Sequence, residues 1–92
     1  MAERLSFLVC DPVGLHARPA TILVNKANHF ESDMKIVYNG KEMNLKSIMG
    51  VMALGVPTKA TVEIIADGND EKEAIAEITK AIKKEKVGEI KD

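Results

Sequence analysis

Met34-Lys35-Ile36-Val37-Tyr38-Asn39-Gly40-Lys41-Glu42-Met43-Asn44-Leu45 is the stretch that decides the fold. Met34, Ile36 and Tyr38 alternate with their neighbours, and Met43 and Leu45 resume the alternation after a break; period two marks a strand with one buried face. The break is Asn39-Gly40, a pair that tolerates positive φ at both central positions of a two-residue hairpin turn. An antiparallel pair of strands therefore occupies the middle of the chain.

Upstream, Leu5, Phe7 and Val9 alternate in the same way and predict a strand ending near Cys10. Asp11, Pro12, Val13 and Gly14 are turn material. Ala20, Leu23, Val24 and Ala27 then recur at helical spacing, which predicts a helix from about Ala17 to about Asn28. Downstream of the hairpin, Ser47 is an N-cap before a short apolar run (Ile48, Met49, Val51, Met52, Leu54) ended by Gly55 and Pro57. Val62, Ile64 and Ala66 give a further strand. Gly68-Asn69 turns the chain into Asp70, which with Glu73 three residues on resembles a capping box. The last helix carries Ile78, Ala81 and Ile82 on its core stripe. Acids gather in its first turns and lysines at its end, as the helix dipole favours, with Gly88 as its stop. The order is β-α-β-β-α-β-α. It predicts an α/β (α+β) open-faced sandwich, in which helices on one face of a sheet bury the side chains that alternate inward.

The 92 residues form one domain, residues 1–92, too small for a deep cavity or a large cofactor. Hydrophobic residues at 46% and charged residues at 29% are those of a globular chain that folds in water. A net charge of -1 gives no field that would draw the protein to nucleic acid or to an anionic membrane. Cys10 stands alone, so no internal disulfide forms, and one cysteine with two histidines cannot make a structural zinc site. With no signal-like N-terminus and no run near the roughly 18 apolar residues of a membrane span, the expected place is the cytoplasm.

Two segments carry chemistry. Gly14-Leu15-His16-Ala17-Arg18-Pro19 puts an imidazole at a loop-to-helix junction with a guanidinium two residues on. First-turn N–H groups lack acceptors inside a helix and carry the positive end of its dipole, so an anion beside His16 finds donors at Ala17 and Arg18. Proline is tolerated in that turn. A neutral ring offers a lone pair for attack on phosphorus, and Arg18 can hold the oxygens of the transferred group. His29 has no such context and reads as a surface residue; Cys10 reads as a small strand hydrophobe. The second segment is Asn44 to Met52. Its apolar residues spread over most of a two-turn helix, more than one sheet can cover. Part of the Ile48, Met49 and Met52 surface must stay open, and methionine suits a patch that meets partners.

With these segments the chain resembles, over nearly its whole length, the HPr family, the histidine-containing phosphocarriers of the bacterial phosphoenolpyruvate-dependent sugar phosphotransferase system. Gly14 to Thr21 is similar to that family's active-site segment, Tyr38-Asn39-Gly40-Lys41 to its hairpin, and Asn44 to Leu54 to the regulatory-serine segment of Gram-positive members. The resemblance implies a four-stranded antiparallel sheet covered on one face by three helices. It implies that His16 accepts phosphate from Enzyme I on Nδ1 and passes it to sugar-specific Enzyme IIA domains, with Arg18 assisting. It also implies that HPr kinase/phosphorylase modifies Ser47 and turns the protein toward co-repression with catabolite control protein A. Leu15, Ala20, Thr21, Ile48, Met49 and Met52 would line the surface these partners share. The expected molecule is a monomeric carrier with no metal and no cofactor, and not an enzyme in its own right. Two rivals are a purely regulatory HPr-like protein acting through Ser47, against which an intact histidine segment argues, and a small-ligand-binding α/β module without covalent chemistry. The Lys-rich tail beyond Lys86 looks longer than is usual in the family and receives no role.

Overall fold

The structure is a computed structural model, and it describes residues 2–91; Met1 and the tail's last residue, Asp92, lie outside the described residues. The elements in chain order are β1 (Glu3–Val9), α1 (Ala17–Ala27), β2 (Asp33–Tyr38), β3 (Lys41–Asn44), α2 (Ile48–Ala53), β4 (Thr61–Asp67), α3 (Glu71–Lys84) and β5 (Gly88–Ile90). The sheet runs β3-β2-β4-β1-β5 with every neighbouring pair antiparallel. Leu5 and Ile36 both stand opposite Ile64, and Phe7 opposite Val62, so three strands send their apolar positions to the same face. Phe7, Leu23, Ile36, Ile64, Ile78 and Ile82 are fully buried and fill the space between that face and the helices. The hairpin is as the sequence reading has it: Asn39 (φ 53°) and Gly40 (φ 80°) both take the left-handed conformation between Tyr38 and Lys41.

The expected four-stranded sheet is corrected to five. The tail forms β5, which pairs with the outer edge of β1 through Phe7 opposite Ile90 and Val9 opposite Gly88. Gly88 does not stop α3. The helix ends four residues before it, at Lys84, in a Schellman turn: Lys86 adopts φ 58°, the Val87 N–H donates to the Ile82 carbonyl at 3.0 Å, and the Lys86 N–H donates to the Lys83 carbonyl at 3.4 Å. Val87 is buried beside Ile82, the apolar contact that accompanies this motif. Gly88 is instead needed for close approach, because a Cβ there would lie 2.4 Å from the Leu8 carbonyl oxygen and 2.5 Å from the Phe7 ring. A strand of three residues is too short for alternation to betray it in sequence.

The capping box at Asp70 is a second difference. Asp70 makes no side-chain bond to its own helix. Its carboxylate reaches 38 residues back and accepts from the Ser32 hydroxyl, from the Ser32 N–H at 3.0 Å and from the Glu31 N–H at 2.9 Å. This latches the loop between α1 and β2 to the start of α3. These bonds, the Ser32 hydroxyl first among them, hold the Asp70 carboxyl below its ordinary value of 3.8. A carboxyl depressed in the folded state contributes stability above its unfolded pKa, and that stability is lost as pH falls through the folded value. The urea midpoint should therefore fall as pH drops below about 4. Asp70→Asn should lower the midpoint at pH 7 and flatten part of that acid-side fall; an undiminished fall in the variant would count against the latch.

Candidate functional site

The site is the segment that leaves β1 and enters α1. Its anchors come from three directions: the Cys10 N–H donates to the Val87 carbonyl (3.1 Å), the Gly14 N–H to the Asp11 carbonyl (2.9 Å) and the Leu15 N–H to the Val56 carbonyl (3.0 Å). Gly14 has φ 85°, and a Cβ on it would lie 2.3 Å from the Val56 oxygen. Only glycine lets the chain pass this close to the segment leaving α2. Leu15 then drops into the core, which leaves His16 at the helix mouth.

His16 is the N-cap of α1, with extended backbone (φ -87°, ψ -167°) and no side-chain cap bond. The first bond within the helix runs from the Ala20 N–H to the His16 carbonyl, 3.0 Å. Pro19 has no N–H, so the donors of the first turn are those of Ala17 and Arg18, and helix geometry gives neither an acceptor. A serine or aspartate in the N-cap position would have filled this place with its own oxygen. The imidazole is instead turned aside: its Nε2 lies 3.0 Å from Asp11 Oδ1, which also accepts the Val13 N–H at 3.0 Å. The Val13 N–H first, and His16 after it, hold the Asp11 carboxyl below its ordinary range against the opposing effect of partial burial. Arg18 extends into solvent and meets Glu85 at 3.8 Å, a long, exposed ion pair.

Asp11 is the residue the sequence reading passed over as turn material. The available signal was an acid five positions before the histidine, in a turn that had to fold back on itself.

Around Ser47 the helix cap is as expected, with its hydroxyl oxygen accepting the Gly50 N–H at 3.0 Å. The preceding loop is tied down by Lys46, whose Nζ donates to the Phe30 carbonyl (2.7 Å) and whose N–H donates to Asn44 Oδ1 (2.8 Å). In α2, Val51 is buried and Leu54 just after it also faces inward, while Ile48, Met49 and Met52 are exposed, Met49 at 83%. Val13, 70% exposed, adds an apolar side chain at the mouth of α1. Two of the expected partner-facing residues do not face outward. Leu15 is 4% exposed and Ala20 0%, because the first turn of α1 must seal the core where the chain crosses from β1; Thr21 is half-buried. Cys10 is exposed beyond the end of β1 rather than packed within it, and His29 lies on the surface. Among the described residues no group of three His, Cys, Asp or Glu is placed to hold a metal ion, and no helix is long and apolar enough to cross a membrane.

Gly14→Ala should cost about 1–3 kcal/mol, from positive φ and from the clash with Val56 together. It should also move the ring signals of His16 in an NMR spectrum, because the loop that seats the ring must shift. A variant with native urea midpoint and native ring signals would contradict the close-approach argument.

A family model described as the PTS HPr component phosphorylation site matches residues 4–84. Among solved structures, the histidine-containing phosphocarrier protein of a Mycoplasma superposes with a TM-score of 0.90 at 42% identity, over 94% of this chain and 98% of that one. The phosphocarrier protein HPr of Bacillus anthracis gives 0.78 at 36% identity, over 87% and 95%. Crh, a Bacillus subtilis catabolite-repression protein solved as a swapped dimer, gives 0.70 at 44% identity, over 82% and 86%. With a matched segment that runs from β1 to the last residue of α3, and with helices on one face of an antiparallel sheet as in these structures, the chain belongs to the HPr phosphocarrier family of the phosphotransferase system.

Proposed function

We propose that this protein is a phosphocarrier: His16 accepts a phosphoryl group from phosphorylated Enzyme I and hands it to sugar-specific Enzyme IIA domains. The observation that carries the reading is the uncapped first turn of α1, where His16 is the N-cap and the next two N–H donors have no acceptor within the helix. A phosphoryl group on the ring would lie against the Ala17 and Arg18 N–H groups, and Arg18 would leave Glu85 to bind its oxygens. A helix terminus contributes only about 0.3–1 kcal/mol toward an anion at an exposed site, which suits a group held in transit. The reading asks for no cofactor and no substrate pocket: the partners supply the catalytic surroundings, and the protein travels between them as a monomer in the cytoplasm.

The same proposal gives Ser47 the regulatory role, as the residue that HPr kinase/phosphorylase modifies, with catabolite control protein A as the partner of the modified form. Ile48, Met49 and Met52 beside it are the docking surface. The alternative is a purely regulatory HPr-like protein in which Ser47 works alone and His16 is idle; the likeness to Crh, a catabolite-repression protein, gives it only weak support. Incubation with phosphoenolpyruvate and Enzyme I separates the two. The carrier predicts one acid-labile phosphate by intact mass, absent from His16→Ala; a wild-type mass that does not change would sink it.

Phosphate on Ser47 should act as a charge switch. It adds roughly -1.5 to -2 units at the start of α2, where negative charge is tolerated, so the helix should persist. A partner packing on the neighbouring apolar patch would have to strip water from that charge. Ser47→Asp should therefore weaken Enzyme I binding with near-native circular dichroism, while Ser47→Ala binds almost normally. Equal binding by the two variants would rule the switch out.

A further inference from the structure

We infer that Asp11 is a positioning residue for His16: it holds the ring as the Nε2–H tautomer and thereby presents Nδ1 as the lone pair that attacks phosphorus. The kinetic consequence rests on the carrier reading above, but the state of the resting ring does not.

The argument starts from what each atom can do. An ionised carboxylate has acceptors only, and a neutral imidazole carries one N–H. Asp11 Oδ1 lies 3.0 Å from Nε2, so the proton of the neutral ring belongs on Nε2 and the lone pair on Nδ1. The carboxylate cannot swing away freely, because the same Oδ1 accepts the Val13 N–H at 3.0 Å and the Asp11 carbonyl accepts the Gly14 N–H at 2.9 Å. Its side chain is 15% exposed, against 36% for His16, so the bond is sheltered on the carboxylate side while the ring remains reachable. The bond also keeps the imidazole from folding back as a cap over the Ala17 and Arg18 N–H groups.

The carboxylate has a second effect during transfer. As the Nδ1–P bond forms, the bond between phosphorus and the donor breaks and its electron pair leaves with the donor. Nε2 keeps its proton throughout, so the ring gains a positive charge at the moment of transfer. Asp11 is the negative charge already bonded to that ring, and its attraction is larger in the transition state than in the ground state, which is the requirement for raising a rate. When the phosphoryl group moves on, the charge disappears and the same tautomer is restored with no proton moved. This assigns a direction to the site: the Asp11 edge of the ring faces the loop, and the Nδ1 edge is the one on which the phosphoryl group arrives.

The test uses the whole protein with 15N-labelled histidine, at a pH above about 8 where an ordinary imidazole is neutral. The wild-type His16 ring should give a pyrrole-like Nε2 signal and a pyridine-like Nδ1 signal. Asp11→Asn keeps an oxygen for the Val13 N–H but loses the charge, and its amide can also donate to the ring. Its two ring signals should move toward each other, with backbone amide signals outside the 10–18 segment unchanged. Asp11→Ala, which loses both bonds, should move them at least as far. With Enzyme I and phosphoenolpyruvate, Asp11→Asn should lower kcat about tenfold with KM for the carrier little changed, the difference between a charged and a neutral hydrogen bond. A wild-type ring in the Nδ1–H form, or an Asn variant whose ring signals match the wild type, overturns the inference whatever the rates are. A wild-type protein that takes no phosphate overturns the carrier reading instead and leaves the ring signals to decide this one.

Discussion

A sheet covered on one face only has a single place for its apolar side chains, and the arrangement of this chain follows from that constraint. Leu5, Phe7 and Val9 of β1 and Val62, Ile64 and Ala66 of β4 all turn toward the helices. Each helix must therefore return across the same face, and each begins or ends at the sheet's rim. The mouth of α1 opens where β1 finishes, and the chain leaving α2 passes close enough for Val56 to accept the Leu15 N–H. A site built on helix ends and crossing loops is the consequence. Burial of Leu15 and Ala20 fixes where α1 starts, and so it is the core that sets where His16 stands.

Much of this was legible in the sequence because the signals were local. Asn39-Gly40 needs no distant partner to make its turn, and Ser47 finds its acceptor role three residues on, at Gly50. His16 beside Pro19 is likewise a first-turn signature that neighbours alone can supply. The misreadings share a cause of the opposite kind. Asp70 looked like a local cap, but its oxygens are used by Glu31 and Ser32, far away in the chain. The tail received no role, but it covers the edge of β1, and the clue is a glycine whose missing Cβ makes room for Phe7 and Leu8. Lys86 took the left-handed position that the sequence reading expected of glycine, held there by the Schellman bonds and by the burial of Val87. Asp11 showed only as an acid in a turn, because what brings its carboxylate to the ring depends on Gly14 approaching Val56, a contact between segments about 40 residues apart.

The exposed side chains of α2 are the complement of the same constraint. A six-residue helix can turn only part of its circumference to a neighbour, and Val51 takes the inward place. Ile48, Met49 and Met52 then remain outside as a fixed apolar surface, held in position by Lys46 and the Ser47 cap. Long flexible thioethers can adjust to more than one partner without a change in backbone, which is what the proposed carrier must do as it moves between a donor and several acceptors.

On that reading the resting site is built so that little has to be broken when a phosphoryl group arrives. Arg18 is held by Glu85 at 3.8 Å with most of its side chain in solvent, and such a pair is worth about 0–1 kcal/mol. The Ala17 and Arg18 N–H groups have no acceptor within the helix, so no intrahelical bond has to break for phosphate oxygens to reach them. The strong restraint is placed elsewhere, on the loop and on Asp11, where the bonds run 2.9–3.1 Å and do not have to change during transfer. Separating rigid positioning groups from loosely held binding groups lets one site accept and release the same cargo. A tighter arginine clamp would help the first half of the cycle and hinder the second, and the long Arg18–Glu85 distance fits a balance between them.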